Sequence, residues 1–505
     1  MKVLFIYPNV NAQVGFNYGL AFISAVLKKH GHATRLLNLN EKLYKLPSDE
    51  EIVKYIRDYA PGLIGMSVVT PQYTTALRTA RLIKKNFPDT PLIIGGVHPT
   101  LVPDEVMKED CFDYACTGEG EEAVLELVTK KERGEDTSAI LNIWSRTNGG
   151  IKQNSVRSFV DLSKLPMKDY ELFDLQHMIN KEDGWVRLMG SRGCPFRCSY
   201  CFNHKIVDRY KDDLSATDVG YVRRHCLEDV LGEIKYLLRT YRDIKTFIFD
   251  DDIFTFDKKF LRAFCTEYPK LTEVPFVVNG HVRAFDEERA KMLKEGGCSI
   301  IKFGLESGSE RIRRDVLHRP MSNEEIVRAF EAAHKFGLHT SAFVMIGLPY
   351  ETREDILATI ELLSRIRPGR FRWAIFFPFP RTDAYEMSLK GGYINFEKMR
   401  ELKNFTEASC LDFGPEHNLF ISKLQKTFPW YVNTHSENSP GNIYSFLTRA
   451  VEDMPPDKWE ETKDKILSVD RELSSCLNKA GCKHYSFRYN SFTAVRSDWG
   501  DGKGE

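Results

Sequence analysis

Three cysteines stand in the segment Gly193-Cys194-Pro195-Phe196-Arg197-Cys198-Ser199-Tyr200-Cys201, spaced C-x3-C-x2-C, directly after an apolar run that reads as a strand. Three thiolates on one tight loop can hold three irons of a cubane cluster and leave the fourth iron without a protein ligand. An open iron is a catalytic feature. Two other chemistries use similar residues. A structural zinc site closes with four ligands, and His204 is the one nearby candidate to complete it. A redox pair at Cys198 and Cys201 would need only two cysteines and a different surrounding pattern. The other eight cysteines (111, 116, 226, 265, 298, 410, 476 and 482) are dispersed and are read as inert, mostly buried thiols. In a large chain that opens without a secretory h-region they argue against a disulfide framework.

The elements that must position this loop follow from hydrophobic periodicity. From the start to about residue 130, short β-branched runs alternate with helical patterns. Strands are expected over residues 2–7, 34–37, 63–68, 91–94 and 112–115, with helices such as 20–30 and 75–86 between them. This order implies an open parallel sheet with helices on both faces, which binds ligands at the carboxyl ends of its strands. Lys131 to Asp136 and Asn148-Gly149-Gly150 interrupt the rhythm, and the stretch 136–185 is read as a linker. Alternation resumes with strands near 186–189, 246–249, 276–279, 299–303, 340–346 and 371–377, six units that suit a partial barrel rather than a closed eight-stranded one. From about Asn395 the pattern turns helical and aromatic, with Phe428-Pro429-Trp430-Tyr431 and Tyr485-Ser486-Phe487-Arg488-Tyr489, and residues 500–505 read as frayed.

The cysteine segment, with Tyr200 before the last cysteine, resembles the signature C-x3-C-x-aromatic-C of the radical S-adenosylmethionine (SAM) superfamily. The resemblance implies a [4Fe-4S] cluster on Cys194, Cys198 and Cys201, whose open iron chelates SAM and cleaves it to a 5′-deoxyadenosyl radical. Phe247-Ile248-Phe249-Asp250-Asp251-Asp252 ends a strand where that family places groups for the SAM amino end, and carboxylates suit an ammonium. Asp251 and Asp252 are the candidates, with a helix cap or solvated loop as the alternative. Gly304-Leu305-Glu306-Ser307-Gly308-Ser309 resembles the fourth-strand motif, placing Glu306 and Ser307 near the SAM ribose and carboxylate. Gly347-Leu348-Pro349-Tyr350-Glu351-Thr352 resembles the fifth-strand motif, placing Gly347 and Pro349 near the adenine. Turn and cap chemistry would use the same residue types. Arg283 is a further candidate, against a structural ion pair.

Residues 1 to about 130 resemble the cobalamin-binding domain of the B12-dependent branch of the superfamily. The matching pieces are Gly19-Leu20-Ala21-Phe22, Ser67-Val68-Val69-Thr70, Ile94-Gly95-Gly96-Val97-His98-Pro99-Thr100 and Thr117-Gly118-Glu119-Gly120-Glu121, each where a strand ends. The expected cobalamin contacts are Thr70, Gly95, Gly96, Val97, His98, Gly118 and Glu119, the glycines letting backbone approach a bulky ligand. The loop Pro8 to Gly15 lacks the D-x-H-x-x-G histidine that coordinates cobalt in many such domains. His98 follows a later strand and is read as stabilising its loop. The resemblance is therefore to the subgroup without the lower histidine, where the dimethylbenzimidazole tail is held away from cobalt. A nucleotide-type Rossmann domain is the alternative, but G-x-G-x-x-G is absent after the first strand.

The expected fold class is α/β. A Rossmann-like cobalamin domain (1–135) and a linker (136–185) precede a partial (β/α)6 radical SAM barrel (186–390) and a mainly helical C-terminal domain (391–505). Cobalt is expected to face the cluster with substrate between them, the aromatic C-terminal segment either lining that pocket or packing as a stabilising bundle. The chemistry implied is methyl transfer from one SAM through methylcobalamin to an unactivated carbon or a phosphorus of a small molecule, a second SAM supplying the radical. A cyclase or rearrangement of the same cofactor set is one rival, and a non-catalytic cobalamin carrier another. Lysine plus arginine and aspartate plus glutamate both total 71 in 505 residues, so no global basic field points to nucleic acid. No apolar stretch reaches the roughly 18–20 residues of a membrane span. The reading is a cytoplasmic enzyme that draws electrons from an external flavodoxin- or ferredoxin-type donor.

Overall fold

The computed structural model describes residues 1–402, 406, 408–436 and 440–499. The chain forms two compact units: Met1–Arg197 with Cys201–Asp251 and Phe379–Thr382, and Cys198–Tyr200 with Asp252–Pro378 and Asp383–Glu505.

The first unit opens with β1 (Lys2–Pro8), β2 (Ala33–Leu39), β3 (Leu63–Ser67), β4 (Leu92–Gly95) and β5 (Tyr114–Cys116), all parallel, in the order β2-β1-β3-β4-β5. The order reverses between β1 and β3, the point where open α/β sheets form a ligand crevice. Side chains alternate across the sheet. Leu4 and Ile6 join the core with Ile52, Ile56, Ala76 and Ile83 of the helices Asp49–Tyr59 and Tyr73–Asn86. Phe5 points to the opposite face, over which the helix Tyr18–Lys29 runs, its first turn capped by the Asn17 side chain accepting from the Leu20 amide.

The stretch expected as a linker contributes to this sheet. β6 (Ile143–Thr147) pairs antiparallel with β5, and β7 (Gly150–Lys152) with β6. Thr147 faces Gly150, so Asn148-Gly149 is the two-residue turn of a hairpin, a stronger signal for a hairpin than for a domain break. After it come β8 (Trp185–Leu188), β9 (Ser191–Arg192), the cysteine loop, the helix Asn203–Leu214, β10 (Arg223–Arg224) and β11 (Thr246–Phe249). β8 and β11 are parallel, and β9 and β10 are antiparallel.

In the second unit β12 (Phe276–Gly280), β13 (Cys298–Glu306), β14 (His339–Ile346) and β15 (Arg370–Ile375) lie parallel in sequence order. The helices Glu287–Glu295, Asn323–Lys335 and Arg353–Ile366 connect them. Asp286, Ser322 and Thr352 cap these helices, the last two as capping boxes. All six strands expected beyond residue 185 form.

The C-terminal region is helical over Pro415–His435, Gly441–Glu452 and Ile466–Lys479, but it also contains β16 (Tyr485–Phe487) and β17 (Thr493–Arg496). β17 pairs antiparallel with both β15 and β16, because the Tyr485-Ser486-Phe487 run alternates with strand period rather than helix period. Phe428 and Trp430 are fully enclosed, and the Trp430 indole donates to Asp470 at 2.7 Å, so the first aromatic run is core. The expectation for 500–505 lies outside the described residues. Among the described residues no helix is long and apolar enough to cross a membrane.

Candidate functional site

A cavity of about 200 Å³ opens beside the β1/β3 reversal. Six glycines face it, Gly19, Gly65, Gly95, Gly96, Gly118 and Gly120, and its walls are apolar at Phe5, Leu20, Ile23, Ile93 and Val124. Of the residues expected to contact cobalamin, Gly95, Gly96, Gly118 and Glu119 meet here, whereas Thr70, Val97 and His98 do not line it.

Two of the glycines are required by the chain itself. Gly96 sits at φ +100°, and a Cβ there would press on the Val68 backbone; Gly118 sits at φ +83°, and a Cβ would collide with the Tyr210 hydroxyl. His98 is buried, shares a 3.2 Å hydrogen bond with the Thr70 hydroxyl and packs on Tyr73 with ring centroids 4.3 Å apart. Burial lowers its pKa to about 4, so the ring is neutral at pH 7 and serves its loop.

Glu119 is held by Arg192 at 2.7 Å and by Arg223 at 2.8 Å. Burial raises its carboxyl, but Arg223 and Arg192 outweigh this and keep it below its ordinary value. Glu121 takes the other arm of Arg192 at 2.6 Å. The Tyr210 hydroxyl, stacked on Phe159, meets the Glu119 amide at 3.1 Å. Sequence reasoning missed Arg192, Arg223 and Tyr210. The pairing of β9 with β10 sets Arg192 opposite Arg223, and Tyr210 comes from the helix between them.

The three aspartates after β11 divide their work. Asp250 accepts from Arg187 and from the Tyr18 hydroxyl. Asp251 is fully buried and accepts from the Gly190 amide at 2.9 Å and from the Ser191 hydroxyl, with Arg224 at 3.5 Å. Burial nonetheless raises its pKa. Asp251 therefore braces the strand that leads into Cys194, and Asp252 is the exposed carboxylate of the run.

In the second unit the sheet places Glu306 at a bulge between β13 and β14 with φ +66°. The Tyr200 hydroxyl donates to Glu306 Oε1 at 3.0 Å, so two predicted residues meet. Burial raises the Glu306 carboxyl, opposed only in part by Arg319 and Tyr200. Arg319, also missed from sequence, donates to Cys198 Sγ at 3.3 Å and to the Gly304 carbonyl at 2.7 Å.

Ser307 is enclosed. Its hydroxyl lies 3.4 Å from Thr359, and its carbonyl accepts from the buried Arg313 at 2.6 Å. Gly347 adopts φ +73°. Its amide and that of Leu348 donate to the buried Glu351, which fixes the turn carrying Pro349. Arg283 stands apart, half-exposed, paired with Glu325 at 3.3 Å and donating to the Pro320 carbonyl, as the ion-pair alternative anticipated.

Residues 9–128 match the B12 binding domain family, and residues 188–363 match the Radical SAM superfamily. An uncharacterized methyltransferase of Pyrococcus horikoshii is 28% identical over 80% of this chain and 89% of its own. The anaerobic magnesium-protoporphyrin IX monomethyl ester cyclase of Rubrivivax gelatinosus is 25% identical over 85% of this chain and 77% of its own. Among solved structures, the cobalamin-dependent S-adenosylmethionine radical enzyme OxsB with aqua-cobalamin bound superposes with a TM-score of 0.66 at 15% identity, covering 95% of this chain and 75% of that one. The chain belongs to the radical SAM enzymes that carry a B12-binding domain ahead of the radical SAM domain. Its fold is α/β, with a parallel B12-type sheet, a radical SAM sheet and a largely helical C-terminal region.

These domains imply three cofactors: a [4Fe-4S] cluster, SAM and cobalamin. The residues present fit them. Among the described residues no three His, Cys, Asp or Glu side chains converge on one metal ion. A cubane does not ask for that, since its three thiolates bind three separate irons. The glycine-lined, apolar-walled cavity fits a bulky ligand with an apolar end. Of the remaining eight cysteines, Cys111, Cys116, Cys265, Cys298 and Cys410 are buried and burial raises them above their ordinary range, whereas Cys226 and Cys476 are exposed and Cys482 is partly so.

Proposed function

We propose that the chain is a methyltransferase that moves a methyl group from SAM, by way of cobalamin, to an unactivated carbon or a phosphorus of a small molecule. When bound, the cluster with SAM supplies a 5′-deoxyadenosyl radical and cobalamin supplies the methyl carrier. Cys194, Cys198 and Cys201 hold three irons. Asp252 and Glu306 meet the polar end and ribose of SAM, with the enclosed Ser307 shaping that contact from behind, while Gly347 and Pro349 present backbone to its adenine, with Arg283 outside the immediate contacts. Gly95, Gly96, Gly118 and Glu119 border cobalamin, and the apolar wall of the cavity receives the base of its nucleotide tail. Thr70, Val97 and His98 shape that border from behind.

The observation that carries this reading is the cavity at the β1/β3 reversal, in the same chain as a cysteine loop with one iron position left open. The likeness to the Pyrococcus methyltransferase supports methyl transfer over other outcomes. We further propose the boundaries 1–135, 136–185, 186–390 and 391–505 for the cobalamin, connecting, radical SAM and C-terminal parts, a cytoplasmic location and a flavodoxin- or ferredoxin-type electron donor.

The likeness to a cyclase favours one rival, radical chemistry on the same cofactors without methyl transfer. Anaerobic reconstitution with iron, sulfide and hydroxocobalamin tests the common ground: near-stoichiometric corrinoid and deoxyadenosine formation are expected. Product mass then decides, since methyl transfer adds one CH2 unit. Turnover products with no added CH2 would replace the methyltransferase reading with the rival.

A further inference from the structure

The loop Thr117-Gly118-Glu119-Gly120-Glu121 borders the cavity at Gly118, Glu119, Gly120 and Glu121. It is also the anchor for both sides of the cysteine loop. Arg192 stands two residues before Cys194 and donates to Glu119 at 2.7 Å and to Glu121 at 2.6 Å. Tyr210 lies in the helix that starts two residues after Cys201, and its hydroxyl oxygen accepts from the Glu119 amide at 3.1 Å, its ring resting where a Gly118 side chain would be. Arg223, opposite Arg192 in the β9–β10 pair, closes the set with 2.8 and 3.0 Å contacts to Glu119.

Glu121 is buried and the other three charges are partly buried. Side-chain exposure is 18% for Glu119, 3% for Glu121, 14% for Arg192 and 15% for Arg223. In that setting removing one partner strands the other, and the paired geometry tolerates little drift. A ligand seated against Gly118 and Glu119 must displace or stiffen this loop. Stiffening the loop fixes the two residues from which the cysteine loop is hung.

We propose that the Arg192–Glu119/Glu121 pairs, with Tyr210, couple the corrinoid cavity to the cysteine loop, so that corrinoid binding orders residues 193–201 and cluster assembly in turn tightens corrinoid binding. Reciprocity is obligatory if the two events are linked at all. The inference rests on the reading that the cavity takes cobalamin. Arg192 is a positioning residue here, acting on Cys194 through the chain.

The test uses the full-length, cluster-free protein with hydroxocobalamin as the probe. Corrinoid binding is followed by absorbance in the same samples that report iodoacetamide labelling of Cys194 and hydrogen exchange over 193–201. In the wild type, bound corrinoid is expected to slow Cys194 labelling about fivefold or more, the lower end of ordinary coupling between sites. Tyr210→Phe, at a residue outside the cavity wall, is expected to bind corrinoid yet show a diminished response, and to lose part of the matching gain in corrinoid affinity on cluster reconstitution. Corrinoid bound to the wild type without any response, or the same response in Tyr210→Phe, overturns the coupling and leaves the cobalamin reading standing. No corrinoid bound to the wild type overturns both. Should Tyr210→Phe fail to fold, Arg223→Gln, also outside the cavity wall, takes its place: a diminished response supports the link, and an undiminished one overturns it.

Discussion

The hydroxyl of Tyr200 donates to Glu306 Oε1 across 3.0 Å, and Glu306 holds that carboxylate from a backbone at φ +66°. A non-glycine residue in the left-handed region costs about 1–3 kcal/mol, tolerated where the surroundings over-determine it. The β13–β14 bulge and the Arg319 hydrogen bond to Gly304 do so here. Tyr200→Phe leaves a buried acceptor short of a donor. Stability in urea is expected to fall by about 1–2 kcal/mol. Iron per chain should be unchanged while SAM binding weakens. Loss of iron along with SAM would show that Tyr200 supports the cluster rather than Glu306.

Asp251 and Asp252 are adjacent, yet they should fail in different assays. Asp251→Ala strands the Gly190 amide and the Ser191 hydroxyl, two buried donors, at about 1–3 kcal/mol each. A clear fall in melting temperature is expected. Asp252→Asn removes an exposed carboxylate and is expected to change unfolding stability by about 0.5 kcal/mol or less while lowering SAM affinity. Equal SAM affinity in Asp252→Asn and wild type would take Asp252 out of the site.

The strands were legible because they are short apolar, β-branched runs set between helical patterns, as strands covered on both faces are. The run 246–249 is matched to the residue by β11, and the first strand differs from expectation only by the inclusion of Pro8. The Asn148-Gly149 turn was visible but taken as an interruption, since the runs around it are short. The division of labour among Asp250, Asp251 and Asp252 was not legible, because consecutive side chains turn opposite ways and sequence does not say which way faces the loop. Nor were Arg192 and Arg223. Their partner lies 73 and 104 positions away, and no periodicity records a contact at that separation. The glycine at 118 was singled out for a ligand's approach, whereas the nearest group is the chain's own Tyr210.

Glu351 should leave a pH signature. Burial pushes its pKa from 4.5 up to about 8, against the two amide hydrogen bonds that favour the anion. Between those values the folded protein binds one more proton than the unfolded chain, so stability falls as pH rises through that window and is level on either side. Glu351→Gln removes the slope. Relative to wild type it is expected to gain on the order of 3–4 kcal/mol between pH 5 and pH 8, read by urea unfolding at both values. Parallel pH profiles for the two proteins would place the carboxyl in the ordinary range.

His98 should not touch cobalt. Its ring is buried against Tyr73, bonded to Thr70 and absent from the cavity wall. With its pKa lowered to about 4, it stabilises the fold above its ordinary value of 6.5, and that contribution is lost as pH falls from 6.5 towards 4. His98→Gln is expected to flatten this acid limb. The electron paramagnetic resonance spectrum of bound cob(II)alamin should be the same in variant and wild type, with no axial nitrogen splitting. Axial nitrogen splitting that disappears in His98→Gln would make the residue a ligand.

Gly118 answers to two demands that a pair of substitutions separates. Alanine at this position must adopt φ +83° and meet the Tyr210 hydroxyl. The backbone part alone costs about 1 kcal/mol or more, and the collision adds to it. Gly118→Ala is therefore expected to lower both melting temperature and corrinoid affinity. Tyr210→Phe in the same chain removes the colliding oxygen but not the strained backbone, and it forfeits the hydrogen bond to the Glu119 amide. The double variant should recover part of the stability lost by Gly118→Ala alone, a non-additivity of about 0.5–3 kcal/mol that marks direct contact. Strictly additive effects would mean that Tyr210 and Gly118 do not touch, and that the glycine is there for its backbone angle alone.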